Sequence, residues 1–320
     1  MIYMRCCVLI TLGVALVQAV PTNAQYPNRP IRLIVAFGAG SANDVVARMI
    51  GPPLSKVLGR QVVIDNRPGA AGNLGAEIAA NSPADGYTVM MGNISHAISM
   101  TLYSNPGYDL LKDFAPVAGL VSSSFLLVAH PSVPVKTVHE LIAFAKARPD
   151  QINVATSGSG IFLASQLFNG MAGIRMMNVT YKSTPQAMTA VIGGEVSVGF
   201  PGTSSALPHV KSGKLHALAT TGARRAPVLP DLPTISEAGL PGYEASPWYG
   251  LLVKSGTVAE IIAMLHSESL KVIRQPDVLE RFRAADLDPI GLAPEQFGTY
   301  IRNEIAKWGK IVRATGLRPD

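Results

Sequence analysis

The chain has 320 residues and a formal net charge of +6, with 48% hydrophobic and 15% charged residues. That length is enough for two domains of ordinary size. The basic residues are scattered, so the positive charge mildly favours anionic ligands but excludes the basic patch of a nucleic-acid-binding protein.

Residues 1–24 have the pattern of a secretory signal peptide. A single basic residue, Arg5, precedes an apolar core, and a small-x-small end closes the segment. The apolar run is shorter than the about 20 residues that a membrane-spanning helix needs, and Pro21 follows it. We therefore predict cleavage near Gln25, export to the periplasm and no membrane anchor.

Both cysteines lie in this predicted leader. Cys6 and Cys7 precede the apolar core, whereas a lipid-anchored cysteine would follow it. The mature chain is thus expected to have no cysteine, which excludes a disulfide, a thiolate nucleophile and a cysteine metal site.

The segment from Ile31 to Ile50 predicts a strand, a tight turn of small residues and the start of a helix. The first amides of such a helix have no intrahelical partner and carry the positive end of its dipole. A small anion can dock there without a lysine or arginine. The candidate ligand residues of this loop are Phe37, Gly38, Ala39, Gly40, Ser41, Asn43 and Asp44.

A dinucleotide-binding interpretation competes for the same loop. Gly38 and Gly40 follow a strand, and Asp65 closes the next apolar run. However, Asn43 occupies the position of the third glycine, and Asp65 lies later than the usual spacing of about 20 residues. The alternative function is an exported α/β enzyme that binds a nucleotide-type cofactor at Gly38-x-Gly40.

Strands and helices continue to alternate after this loop, which predicts a parallel sheet with ligands at the carboxyl ends of its strands. Asn73, a predicted N-cap, and Asn93 and His96, in the predicted loop after the third strand, are further candidates for ligand contact. Gly51-Pro52-Pro53 predicts a kink or break in the first helix, since an internal proline costs roughly 3 kcal/mol. The predicted elements are strands at 61–65 and 87–91 and a helix at 74–80.

The second part of the chain repeats the opening motif. An unbroken strand at Phe125–Ala129 has no helix directly after it and predicts a crossing into a second domain. A later strand, a Ser/Gly loop and a helix from Ile161 then place Ser157, Gly158 and Ser159 as ligand residues or helix caps. Further predicted strands lie at 152–155, 177–181, 196–200 and 216–220, and helices at 138–147, 161–171, 185–192 and 204–212.

A proline-rich passage then leads to Trp248–Val253, which we interpret as the return crossing. Two crossings predict two α/β lobes with one ligand cleft between them. Tyr181 and Trp248 either line that cleft or fill the core. The predicted domains are 25–125 plus 247–320 for the first lobe and 126–246 for the second, and the predicted final helices are 258–274, 276–285 and 294–315.

Nothing in the sequence favours catalysis over binding. There is no G-x-S-x-G motif, the carboxylates are spread out, and the histidines have no metal-ligand spacing. We therefore predict a protein that is not an enzyme and that uses no cofactor and no metal.

Blocks along the whole mature chain resemble the Bug family, the extracytoplasmic solute-binding proteins of tripartite tricarboxylate transporters. They are Tyr26–Val35, Asp44-x-x-Ala-Arg48, Asp65–Gly75, Asp85–Thr88, Tyr108–Phe114, Tyr181-Lys182, Leu232–Gly239 and Trp248–Gly250. The resemblance implies a periplasmic-binding-protein fold whose two lobes close on a small organic acid. It also implies membrane subunits as partners, and we expect a monomer.

The resemblance further implies that one ligand carboxylate is held by the loops at 37–44 and 157–159. The first loop here lacks the proline and double glycine usual in the family, and Phe162 stands where histidine is common. Thr180 and Ser183 flank Tyr181-Lys182 in place of proline and glycine, and Ser197 replaces a frequent aspartate. The lack of an evident arginine clamp in the predicted cleft, with Phe162 nearby, favours a monocarboxylate or an aromatic acid.

Overall fold

The computed structural model describes residues 26–181 and 183–317. The predicted signal peptide, both cysteines and Lys182 lie outside the described residues. Within them the chain forms an α/β fold of two mixed sheets with helices packed on each. None of the helices in these two ranges is long and apolar enough to cross a membrane.

The first part of the chain supplies most of a six-stranded sheet. Its elements are β1 (Ile31–Val35), α1 (Ala42–Leu58), β2 (Val62–Asn66), α2 (Asn73–Ala80), β3 (Thr88–Asn93), α3 (Ile94–Leu102) and β4 (Phe114–Ser122). The end of the chain completes it with β10 (Trp248–Lys254), α8 (Ala259–Ile273), α9 (Pro276–Ala284), β11 (Asp288–Leu292) and α10 (Pro294–Thr315). The strand order is β11-β4-β10-β3-β1-β2.

The middle of the chain supplies a five-stranded sheet in the order β7-β6-β8-β5-β9. Its elements are β5 (Leu126–Ala129), α4 (Val138–Ala147), β6 (Asn153–Thr156), α5 (Gly158–Ala172), β7 (Met177–Thr180), α6 (Thr184–Ile192), β8 (Val198–Gly199), α7 (Thr203–Lys211) and β9 (His216–Thr220). The predicted pattern of alternating strands and helices is thus confirmed.

The prediction of a parallel sheet is wrong for both sheets. β1 pairs in parallel with β2 and β3, but β10 is antiparallel to β3 and β4. In the other sheet β5 runs antiparallel to β8 and β9. β5 and β10 are the first strands after the two crossings, where the chain enters each sheet from the other one. The edge strand β11 is also antiparallel to β4.

The two crossings are bonded to each other. The amide of Ser123, between β4 and β5, donates to the carbonyl of Pro247, directly before β10, at 2.8 Å. The connection from β4 to β5 is short, and the longer connection from β9 to β10 passes beside it at Pro247, so the two form a joint between the sheets.

Three local predictions need correction. α1 continues through Gly51-Pro52-Pro53, because its apolar face is buried while Pro52 lies on the exposed face, where water reaches the unpaired carbonyls. Asn73 is the first residue of α2 rather than its cap, which is Gly72. The residues after β3 form the helix α3 instead of a loop, and β11 was not predicted.

Candidate functional site

A cleft of about 360 Å³ opens between the two sheets, beside the joint. A volume of this size is in the range of small-molecule sites. We call it the front cleft; from the six-stranded sheet and its helices it is lined by Gly40, Ala42, Val45, Tyr249, Ala285, Asp286 and Leu287. From the joint and the five-stranded sheet it is lined by Ser123, Ser124, Phe125, Ile161, Thr184, Gly202, Thr203, Ser204, Ser205 and Pro247.

The loop before α1 is held by Asp44 rather than by a ligand. One Asp44 oxygen accepts from the Gly40 amide at 2.8 Å and from Arg48 Nε at 2.8 Å, and the other accepts from Asn66 at 3.0 Å. The bond from Arg48 holds the pKa of this carboxyl below its usual value. Asp44 is therefore ionised and acts as a brace that fixes the loop. Ser41 caps α1 by accepting a hydrogen bond from the Asp44 amide at 3.3 Å.

The first two amides of α1 make no hydrogen bond to the described residues. Those of Ala42 and Asn43 have no acceptor in the described part of the chain, and Ala42 lines the front cleft. Free amides at a helix start attract an anion, because they coincide with the positive end of the helix dipole. The side-chain oxygen of Asn43 is also buried and unpaired among the described residues.

His96 packs beneath this loop and is not among the described residues that line the front cleft, so its contact with a ligand stays a prediction. It is fully buried in the first turn of α3, where Nδ1 accepts from the Asn93 amide at 3.1 Å. Its ring packs edge-on against Phe37 at 5.9 Å between centroids. Gly72 lies against both rings, and a Cβ there would be 2.8 Å from Phe37, so this contact requires glycine. Burial lowers the pKa of His96 to about 4.

The loop before α5 corresponds to the loop before α1, and it contacts residues that line the front cleft. Ser157 is the N-cap residue of α5, but its hydroxyl makes no capping hydrogen bond and lies 3.0 Å from the hydroxyl of Thr184, which lines the cleft. Gly158 is exposed and Ser159 is half-buried, with no side-chain bond to the described residues. The first turn of α5 reaches the cleft through Ile161.

Four further predicted residues have structural partners. Asn73 accepts from the Tyr108 hydroxyl at 3.2 Å, and Asn93 caps α3 by accepting from the Ser95 amide at 3.1 Å. Tyr181 packs on the core of the five-stranded sheet. Trp248 is fully buried against Phe297 and Tyr300. None of these four is among the described residues that line the front cleft, and their contact with a ligand stays a prediction.

Sequence reasoning missed most of the lining. The turn Gly202–Ser205 repeats the opening signal, a strand followed by small hydroxyl-bearing residues and a helix, and could have been found by the same rule. The serine run at 122–124 between two apolar strands marks the joint. Asp286, in the connection between α9 and β11, has no local signal, because only the packing of the chain end brings it to the cleft.

The geometry does not favour a nucleotide cofactor at Gly38-x-Gly40. Asp65, which would have to bind the ribose, accepts from Arg32 at 2.5 Å and is paired with Arg67 at 2.9 Å. The Gly40 amide donates a hydrogen bond to Asp44, so it is not free to bind a pyrophosphate.

Comparison with known proteins gives a single family. Residues 46–317 match the family model described as the tripartite tricarboxylate transporter family receptor. The chain is similar to protein BugT of Bordetella pertussis, with 34% identity over 305 residues that cover 94% of each chain. It is also 31% identical over 311 residues to a protein of Pseudomonas sp. from a tcbD-tcbE intergenic region, covering 95% of this chain and 93% of that one.

Solved structures show the same fold. Rpa4515 of R. palustris with adipate has a TM-score of 0.79 at 34% identity, covering 92% of this chain and 100% of the other. MatC of Rhodopseudomonas palustris with bound malate has a TM-score of 0.75 at 31% identity, covering 90% and 100%. These matches extend over both sheets and support a binding protein with two α/β lobes.

Proposed function

This chain belongs to the tripartite tricarboxylate transporter receptor family, and from that membership we propose that it captures a small carboxylate-containing solute in the front cleft. The family consists of solute-binding receptors, not enzymes, and the enzyme alternative finds no support in the comparisons. Two similar proteins were solved with adipate and with malate. We propose the same chemical class, an organic acid, for this chain.

The observation that carries the proposal is the pair of free amides at Ala42 and Asn43. Ala42 lines the front cleft, and Asn43 follows it in the first turn of α1. Thr184 and the hydroxyl-bearing residues at the start of α7 line the same cleft. A carboxylate can thus be held by amides and hydroxyls without a cationic side chain.

We propose that binding closes the two lobes about the joint of Ser123 and Pro247. Residues 25–125 with 247–320 would form one lobe and 126–246 the other. A ligand that contacts both lobes stabilises the closed state by its difference in affinity between the two states. The closed monomer would then be recognised by the membrane subunits of a transporter, or by a sensor.

Filling the cleft at Ala42 is expected to abolish binding while the fold stays intact. Ala42 is exposed at the start of α1, so Ala42→Phe places its ring in the cleft without disturbing the core. Isothermal titration with a panel of mono- and dicarboxylates should show a loss of at least about tenfold in affinity, or about 1.4 kcal/mol. Ala143→Phe on the exposed face of α4 is the matched control. Equal affinity of Ala42→Phe and Ala143→Phe for the carboxylates would contradict the front cleft as the binding site.

Export is expected to remove the leader together with both cysteines. We propose a periplasmic protein that starts near Gln25. Intact mass measurement and thiol titration of the protein from a periplasmic extract should show an N-terminus at 25 or 26 and no free thiol. A mass that retains residues 1–24 would refute the proposed signal peptide.

A further inference from the structure

Asp286 is the only side chain with a formal charge among the described residues that line the front cleft. It is an acid, which is unexpected in the wall of a site for organic acids. Its side chain is nearly buried, and its backbone has a φ of 54°, in the left-handed region that aspartate and asparagine tolerate. The position of the carboxylate is therefore fixed by the chain.

The carboxylate has fewer partners than it needs. One oxygen accepts from the Ser124 hydroxyl at 3.2 Å, and that hydroxyl lies 2.9 Å from the hydroxyl of Thr203. The other oxygen, Oδ1, is buried without a hydrogen-bond partner in the described ranges. Burial raises the pKa of Asp286, and the nearby charge of Asp288 adds to the effect. The ionised carboxylate therefore needs a hydrogen-bond donor for Oδ1, and the described residues around it do not supply one.

The two sides of the front cleft thus favour opposite charges. The free amides of Ala42 and Asn43 favour a carboxylate, whereas Asp286 repels a second one and favours a cation or a hydrogen-bond donor. We infer that Asp286 is a specificity-determining residue that selects ligands with one carboxylate and a cationic, hydrogen-bond-donating far end, such as ω-amino acids, over dicarboxylates. This inference rests on the proposed function of the cleft.

Matched ligand pairs test this selectivity. In succinate and 4-aminobutanoate, or adipate and 6-aminohexanoate, the number of carbon atoms is the same and an aminomethyl group, which carries the ammonium, replaces one carboxylate. Calorimetric titration at pH 8 should show that the better-bound amino acid exceeds its dicarboxylate partner by at least about tenfold in affinity. In Asp286→Asn this preference should fall to within about threefold or reverse, since the charge is gone while asparagine still suits the backbone and can accept from Ser124.

The control is Asp288→Asn, two residues further along. Asp286 and Asp288 both line a second cavity of about 310 Å³ beside the joint, but only Asp286 also lines the front cleft. Asp288→Asn should keep the wild-type preference. Equal or tighter binding of the dicarboxylates to the wild type, or an unchanged preference in Asp286→Asn with a normal unfolding transition, would overturn the inference and leave carboxylate binding standing. Absence of binding by all four probes and by butanoate would overturn the proposed function, and the inference with it.

Discussion

Acidification from pH 7.5 to pH 4.5 is expected to lower the free energy of unfolding by about 2 to 3 kcal/mol through His96 alone. In the folded protein Nδ1 accepts from the Asn93 amide and Nε2 is buried without a partner in the described chain, so the ring cannot take up a second proton without loss. Burial therefore lowers its pKa from 6.5 to about 4.

The direction follows from proton binding. Between the two pKa values the unfolded chain binds a proton that the folded chain does not, so a fall in pH favours unfolding. The contribution of His96 is fully present above pH 6.5 and is lost as the pH falls toward 4. Because His96 packs under Phe37, the ligand loop should loosen over the same range.

Urea unfolding at the two pH values measures this effect, with His96→Gln as the matched variant. Glutamine in the third position of a helix can still accept from the N-cap amide, but it does not titrate. The free energy of unfolding of the variant should therefore change less between the two pH values than that of the wild type, by about 2 to 3 kcal/mol. The same pH dependence in both proteins would show that His96 is not the group responsible.

Gly250→Ala is expected to destabilise the protein by about 3 kcal/mol. Gly250 in β10 stands opposite Gly92 of β3 and Gly119 of β4, and Phe297 of α10 lies over Gly250 and Gly119. A Cβ at position 250 would be 2.3 Å from the Phe297 ring and 2.6 Å from the carbonyl oxygen of Ala118. The ring is fully buried and the carbonyl belongs to the backbone, so neither can move away easily.

Urea unfolding of three variants tests this packing. Gly170→Ala is the control, because this α5 position is exposed with open space around its Cβ, and alanine there should be neutral or stabilising by up to about 1 kcal/mol. Adding Phe297→Leu to Gly250→Ala should recover part of the loss, since the two positions are in contact. A cost below about 0.5 kcal/mol for Gly250→Ala would show that α10 shifts freely over the sheet.

Local sequence patterns predicted several elements, which lie at residues 42–58, 138–147, 216–220 and 294–315. The helices α4 and α10 and the strand β9 occupy the predicted residues, and α1 starts two residues before Asp44. Their apolar residues recur at helix or strand spacing, so the information lies within each segment. α3 was missed because its cap pairs Asn93 with His96, which differs from the Ser/Thr and Glu/Gln pattern of a capping box.

The sequence by itself determined the α/β alternation, the family and the loop before α1, because all three depend on residues close together in the chain. Only the tertiary structure decided the strand directions, since pairing joins segments such as β4 and β10 that are more than a hundred residues apart. It also decided that Asp44 is a brace, that Trp248 is buried, and that Asp286 meets Ser124 and Thr203 at the cleft. The contact of Asp286 with Ser124 arises from how the chain end packs against the middle of the chain, which no local pattern records.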